Sequence, residues 1–407
     1  MNALSRLTAL ALAMLCATPL LAAEFDGHLA LGVNAGNADF DRNDTQALAR
    51  LEYRLTHEAT LGPAGLDFVL GGEAWTYEHA LNDAHLLREA YVEISGDAGR
   101  IGFGRQVRIQ GVADGFIPTD VVAPRNFRLT RYETEGNRFG LNGAWGTLFL
   151  SDNLSAEAYA YAGRRSHVMP HGLYTGGLSL PDRPVASNDP VYGGRLSYLA
   201  EIGDFGLSFY QGAAAYPVLA PSGHATTAVV PQLRMIGLDA DTVFGPWRVY
   251  GEAALHLYSA GEFGIADGFL PDDEIQSTVG VERELEGGSR LGFQLFHRML
   301  QNRRSRQAGP AAPLAAAARG VYGQFRDRQT GVSLSYTWTS DDTRWSAEAA
   351  ASSWFQGDGY LSLRVKYRSS DNSAIYLSGS WLDGPRNTLY GEYSKSSNLN
   401  LEFRLFF

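Results

Sequence analysis

The chain has 407 residues and a formal net charge of −10, with 46 Gly, 20 Tyr, 20 Phe and 7 Trp. This mixture of turn formers and aromatics suits many strands, and an acidic chain without a long basic run gives no footing for a nucleic-acid partner. A single cysteine, Cys16, excludes an internal disulfide framework, and beyond the N-terminal segment no stretch approaches the roughly 18 apolar residues of a spanning helix.

The chain opens with "MNALSRLTALALAMLCATPLLAAEF". Arg6 in a short basic start, an apolar run over residues 7 to 15 and small residues before Glu24 lay out a cleavable secretory signal, residues 1–23, which takes Cys16 with it. Leu15 precedes that cysteine where a lipobox carries a small residue, so no lipid anchor is expected. Residues 24–407 then keep one texture, with no linker or low-complexity block, and read as one domain. The strand pattern begins almost at Glu24, which leaves no room for an N-terminal plug. "DFDRND", at 39–44, offers carboxylates but lacks the glycine and the later bidentate glutamate of a calcium loop, so neither a metal nor a cofactor is expected.

From there the sequence alternates with period two. In "ALARLEYRLT", Ala49, Leu51, Tyr53 and Leu55 share one face, and Arg50, Glu52, Arg54 and Thr56 share the other. The same alternation returns in "LSAEAYAYAG", "WRVYGEAALHLY", "YLSLRVKY" and "AIYLSGSW". A soluble sandwich also alternates, but here charged residues sit in mid-strand on the polar row. That suits a wet lumen, with the Leu, Val, Ala and aromatic row facing hydrocarbon. Tight connections at 96–99, 203–206, 244–247 and 286–288 alternate with long ones at 107–133, 164–190, 217–229, 259–273 and 301–319. Short turns at one rim and long loops at the other predict an all-β, transmembrane antiparallel β-barrel over 24–407, closed because hydrocarbon tolerates no open sheet edge. The spacing gives about 18 strands, with 16 and 20 as neighbouring even counts. Tyr53, Tyr198, Trp247, Trp338, Trp345 and Trp381 are expected in the interfacial girdles.

The chain closes with "TLYGEYSKSSNLNLEFRLFF", which reads either as one long strand or as two with a turn at "SKSSN". In "LNLEFRLFF" an apolar row from Leu399 to Phe407 alternates with Asn400, Glu402 and Arg404. This ending resembles the C-terminal strand of bacterial outer-membrane proteins, and the resemblance implies that Phe407 is read by the barrel assembly machinery.

For function the richest stretch is 87–126. "AYVEIS" and "RIGFGRQ" resemble a segment of alginate-export-type porins and related outer-membrane porin-like families, while "GVADGFIPTDVVAPRN" looks closer to their uncharacterised relatives; the likeness covers about a tenth of the chain. It implies an outer-membrane channel passing small polar or anionic solutes, with polysaccharide export through periplasmic partners as its extension. Gly102, Gly104 and Gln106 leave the lumen side of "RIGFGRQ" almost without bulk. The loop after them is therefore expected to fold inward, with Arg105, Asp114, Asp120, Arg125, Arg128 and Arg131 at a constriction, although Arg105 shares the parity of the lipid-facing Phe103. Glu73, Glu89, Glu93, Asp239, Asp241, Arg248 and Glu252 fall on inward rows as pore-lining residues. Basic loop patches with Arg164, Arg165, Arg303, Arg304 and Arg306 are expected to touch lipopolysaccharide phosphates at the outer leaflet. No catalytic constellation emerges: His256 falls on a lumen row, and His297 faces lipid with no serine placed beside it. A barrel enzyme and a structural or adhesive barrel remain the alternatives to the channel, and about 18 strands enclose too wide a space to be packed solid by side chains alone.

Overall fold

The computed structural model describes residues 24–36, 46–75, 85–127, 137–168, 185–222, 225–302, 304, 312–385, 388–392, 394 and 397–407. The expected leader, the acidic loop at 39–44, Arg128, Arg131, Arg303 and Arg306 lie outside the described residues.

Eighteen strands form one sheet. In chain order they are Glu24–Gly36, Gln46–Leu61, Ala64–Trp75, His85–Gly96, Gly99–Gln106, Leu141–Ser151, Leu154–Tyr161, Val191–Ala200, Gly203–Ala213, Gln232–Phe244, Trp247–Ser259, Asp273–Glu284, Arg290–Asn302, Arg328–Thr339, Trp345–Ser353, Gly359–Ser370, Ser373–Asp383 and Asn398–Phe406. Each pairs antiparallel with its neighbour in this order, and the first closes the ring against the last, with His28 opposite Phe406 and Gly36 opposite Asn398. One residue beyond that ladder, Gly27 and Phe407 exchange backbone hydrogen bonds of 3.2 and 3.1 Å. The Phe407 ring fills the space a Cβ on Gly27 would need.

The final stretch settles the strand number. Leu389–Glu392 is a single turn of helix instead of a strand. Thr388 starts it, its hydroxyl donating to Pro385 O at 2.7 Å and accepting the Gly391 N–H at 3.3 Å. A second difference is small: the tight turn expected at 203–206 falls at 201–202, and "GDFG" opens the next strand.

The two rows of each strand meet different surroundings. Leu31, Phe68, Leu148, Leu238, Phe293 and Leu401 all stand exposed on the outer face, as a surface bathed in hydrocarbon requires. Tyr198, Trp338, Trp345 and Trp381 are also exposed, while Tyr53, set between Gly27 and Gly72 in the ladder, is buried and does not join a girdle. The bulk missing at Gly102 is supplied from the next strand. Trp145 lies over it so closely that a Cβ there would collide with the indole, and its Nε1 donates to Glu93 at 2.9 Å.

The apolar core sits inside the barrel, against one part of the wall. Trp145, Tyr159, Tyr161, Tyr210 and Met235 project inward and pack with Val122, Leu219, Phe269 and Val321 from long connections folded into the lumen. Three of these connections carry their own structure: a hairpin, Val218–Ser222 with Ala225–Val229; two 3-10 turns, Gly261–Phe263 and Asp267–Phe269; and the helix Ala312–Val321, which buries Ala315, Ala318 and Val321. Arg319 Nε pins the helix to Asp272 at 2.7 Å.

Candidate functional site

The connection that follows Gly99–Gln106 leaves the rim and enters the lumen. Its first part reaches the strands Trp247–Ser259, Asp273–Glu284 and Arg290–Asn302, the eleventh to thirteenth of 18 when its own is the fifth. In a closed ring that is close to a full diameter, so residues 107–121 form a strut across the barrel.

An irregular segment inside a barrel has no ladder to satisfy its N–H and C=O groups, so side chains on the wall must do it. Glu252 takes the largest share. One carboxylate oxygen accepts the N–H groups of Val112 at 2.5 Å and Ala113 at 2.7 Å. The other accepts the Thr119 hydroxyl at 2.8 Å and its N–H at 3.3 Å. Arg248 donates to Val112 O at 2.7 Å while holding Asp241 and Glu282, each at 2.7 Å. At the far tip the side-chain amide of Gln294 pairs with the Phe116 backbone in both directions, at 3.1 and 3.2 Å, and Thr278 donates to Phe116 O at 2.9 Å. The Phe116 ring packs against Phe296 and Trp354 with centroids 5.3 and 5.2 Å away. His256 Nε2 lies 3.0 Å from Pro118 O.

The root of the strut is fastened by charge. Asp120 has a fully buried carboxylate held by Arg125 and by Arg138, whose Nη1 is 3.0 Å away. Nearby, His167 Nδ1 accepts the Arg125 N–H at 2.8 Å, which requires the unprotonated nitrogen. Burial, and then the positive charges of Arg164, Arg125 and Arg138, hold its pKa well below the usual histidine range.

These placements sort the residues singled out from sequence. Glu73, Glu89, Glu93, Asp239, Asp241, Arg248 and Glu252 all lie on inward rows. Glu73 and Asp239 are buried, and Asp239 is clasped by Arg195. Glu89 pairs with Arg54 at 2.7 Å. Among the described members of the constriction set, Asp114 is the most exposed, at 66%, on the strut and 3.6 Å from Arg248. Asp120 and Arg125 are fastenings and not free charges. Arg105 keeps the outward parity of Phe103: its guanidinium donates to Leu87 O at 2.8 Å and to Asn142 at 3.3 Å, away from the strut. Of the basic loop patches, Arg164 is spent internally on Tyr210 and Ala213 O, and Arg304 on Asp267 and Asp273, while Arg165 is exposed.

The strut divides the lumen unevenly. On one side lie Trp145, Tyr159, Tyr210 and Met235 with the core packed on them. On the other, strands 345–406 and 24–96 present Arg54, Glu89, Glu348, Arg364, Lys366 and Arg368 inward, half-buried or exposed, and among the described residues no connection covers them. Sequence parity would have placed Gln294, Lys366 and Arg368 inward too, but nothing local marked them out.

No protein-family model matches the chain, and no curated protein matches it either. The likeness of "AYVEIS" and "RIGFGRQ" to alginate-export-type porins thus stays a resemblance of short segments. Among solved structures the chain is similar to three Pseudomonas aeruginosa outer-membrane porins. With OccK11 (OpdR) the TM-score is 0.58 at 10% identity, covering 94% of this chain and 95% of that one. With OpdK, solved with vanillate, it is 0.57 at 10%, covering 95% and 98%. With OccK5 (OpdH) it is 0.54 at 12%, covering 94% and 97%. At such identities the likeness is one of fold. A closed 18-strand barrel with an apolar outer face belongs in the bacterial outer membrane.

Proposed function

We propose that this protein is an outer-membrane channel whose water path runs only through the open part of the lumen, beside the strut, and passes small polar and anionic solutes. The observation that carries the reading is the strut itself, fastened to the far wall through Glu252 and Gln294. A barrel built only as an anchor or adhesin has no use for a segment that narrows its interior while leaving charged side chains accessible beside it. Beside the strut, Arg54, Arg364, Lys366 and Arg368 stand among Glu89 and Glu348, a mixed field that orients dipolar solutes. The porin neighbours lend support at the level of fold.

Export of a polysaccharide, through periplasmic partners, would need a path wide enough for a threaded chain, and the strut with its packed core speaks against that. The pairing of Phe407 with Gly27 at the seam fits an ending handed to the assembly machinery as the last strand to close. Lipopolysaccharide phosphates would be met by the outward, exposed Arg234 and by the exposed Arg165 instead of the internal Arg164 and Arg304.

Planar-bilayer recordings of refolded residues 24–407 test the proposal. Discrete steps of small conductance, and liposome swelling in small solutes but not in long oligosaccharides, are expected. A folded barrel that carries no current in any salt would contradict it.

A further inference from the structure

The accessible wall carries a pattern that the ladder alone reveals. Arg368 pairs with Ala374, Ala374 with Arg404, Arg404 with Ala30 and Ala30 with Arg50, so one rung across five adjacent strands alternates arginine and alanine. Both alanines are fully buried. Strands lie about 4.8 Å apart, which sets successive arginines roughly 10 Å from one another. On the neighbouring rung Lys366 pairs with Tyr376 and Tyr376 with Glu402.

Tyr376 gathers the cations. Its ring has the guanidinium carbons of Arg404 and Arg364 at 4.2 and 4.6 Å and the Lys366 ammonium at 5.7 Å. Two carboxylates answer this group. Glu348 lies 4.0 Å from Arg364, and Glu402 is shared by Arg404 and by Arg50 at 3.5 Å. Among the described residues neither Lys366 nor Arg368 has an ion-pair partner, and the two share one inward row with Arg364. Five cations thus face Glu348 and Glu402, with Glu52 near the Arg50 end. Arg50 and Arg404 are buried, while water reaches the two unpaired cations, Arg368 exposed and Lys366 half-buried, and the half-buried Arg364 beside them. Like charges held together beside an aromatic face gain most from a ligand that carries several negative charges on one small body. Guanidinium forks suit planar or tetrahedral oxygen groups.

We infer that Lys366 and Arg368, backed by Arg364, Arg404 and Tyr376, form a binding site for compact multivalent oxyanions, the chemistry shared by phosphates and polycarboxylates. The inference rests on the channel reading for its role in transport, but the site itself is testable without any current. Equilibrium binding of orthophosphate and of citrate to the detergent-solubilised full barrel is measured first. The variant carrying Lys366→Gln and Arg368→Gln is compared with Arg328→Gln, an outward exposed arginine, and the heat-modifiable mobility of each is checked to show a folded barrel.

At least one of the two anions should bind the wild type and Arg328→Gln alike, and bind the double variant at least tenfold more weakly. The tighter-bound anion then assigns the class. Binding of neither anion, or unchanged binding in a folded double variant, would overturn the site. Recordings in chloride follow: block of the current by the same anion, relieved in the double variant, ties the site to permeation. Binding without any current would instead support the site and count against the channel.

Discussion

Glu252→Ala removes the one acceptor that four donors of the strut share: the N–H groups of Val112, Ala113 and Thr119 and the Thr119 hydroxyl. A hydrogen bond to a charged group is worth about 1.5–3 kcal/mol. Phe116 stays tied to Gln294 and Thr278, and water re-solvates part of what is freed. Counting only two of the four bonds, the attachment weakens by about 3 kcal/mol, roughly a hundredfold in the ratio of detached to attached strut. Single-channel recording reads this directly. The variant should visit a second, larger conductance level for a fraction of time about two orders of magnitude above wild type. Glu252→Gln, which keeps one acceptor oxygen and turns the other into a donor, should fall between them. A variant with the wild-type level and dwell times would refute the anchoring role of Glu252.

Asp120→Ala leaves Arg125 and the buried Arg138 without their shared counter-ion, and a loss of about 3–5 kcal/mol is expected, read as a lower midpoint of denaturant unfolding. Gly102→Val forces a side chain into the Trp145 indole and should cost about 1–3 kcal/mol, seen in the temperature at which heat-modifiable mobility is lost. His167 is held neutral, so its contribution is complete above its unfolded pKa, near 6.5, and declines as pH falls below that value, where the loosened segment takes up the proton. Hydrogen exchange at 125–127 and 166–168 should therefore speed up between pH 7 and pH 5 beyond the intrinsic pH effect, and His167→Phe should abolish the excess. Leu401→Arg puts a cation into the outward apolar row and should cost about 2–4 kcal/mol near the bilayer midplane, whereas Asn400→Arg, one residue away and inward, should assemble normally.

The barrel was legible because alternation is a local property: the rows of "LNLEFRLFF" are the rows that the ladder turns outward and inward. The inward side of Glu252, Asp239 and Arg248 followed from the same parity. What parity could not give was partnership. Glu252 meets Ala113 across 139 positions, and Phe116 meets Gln294 across 178, so no window of sequence contains both halves of either contact. Asp120 and Arg125 looked like free charges because the third member of their cluster, Arg138, comes from the returning end of the connection. The misread ending has a local cause: "TLYGEYS" alternates well enough to pass as a strand, but Thr388 caps a helical turn there. The arginine rung exists only once five strands are in register.

The claim on which function depends is that the strut divides the lumen into a packed side and a wet one. Single cysteines in residues 24–407, which otherwise have none, test it through reaction with a charged, membrane-impermeant thiol reagent in the assembled barrel. Ser378→Cys and Asn400→Cys, inward on the wet side, should be labelled quickly. Ser208→Cys and Met235→Cys, inward but buried on the packed side, should be protected. Equal labelling at all four positions would contradict the division.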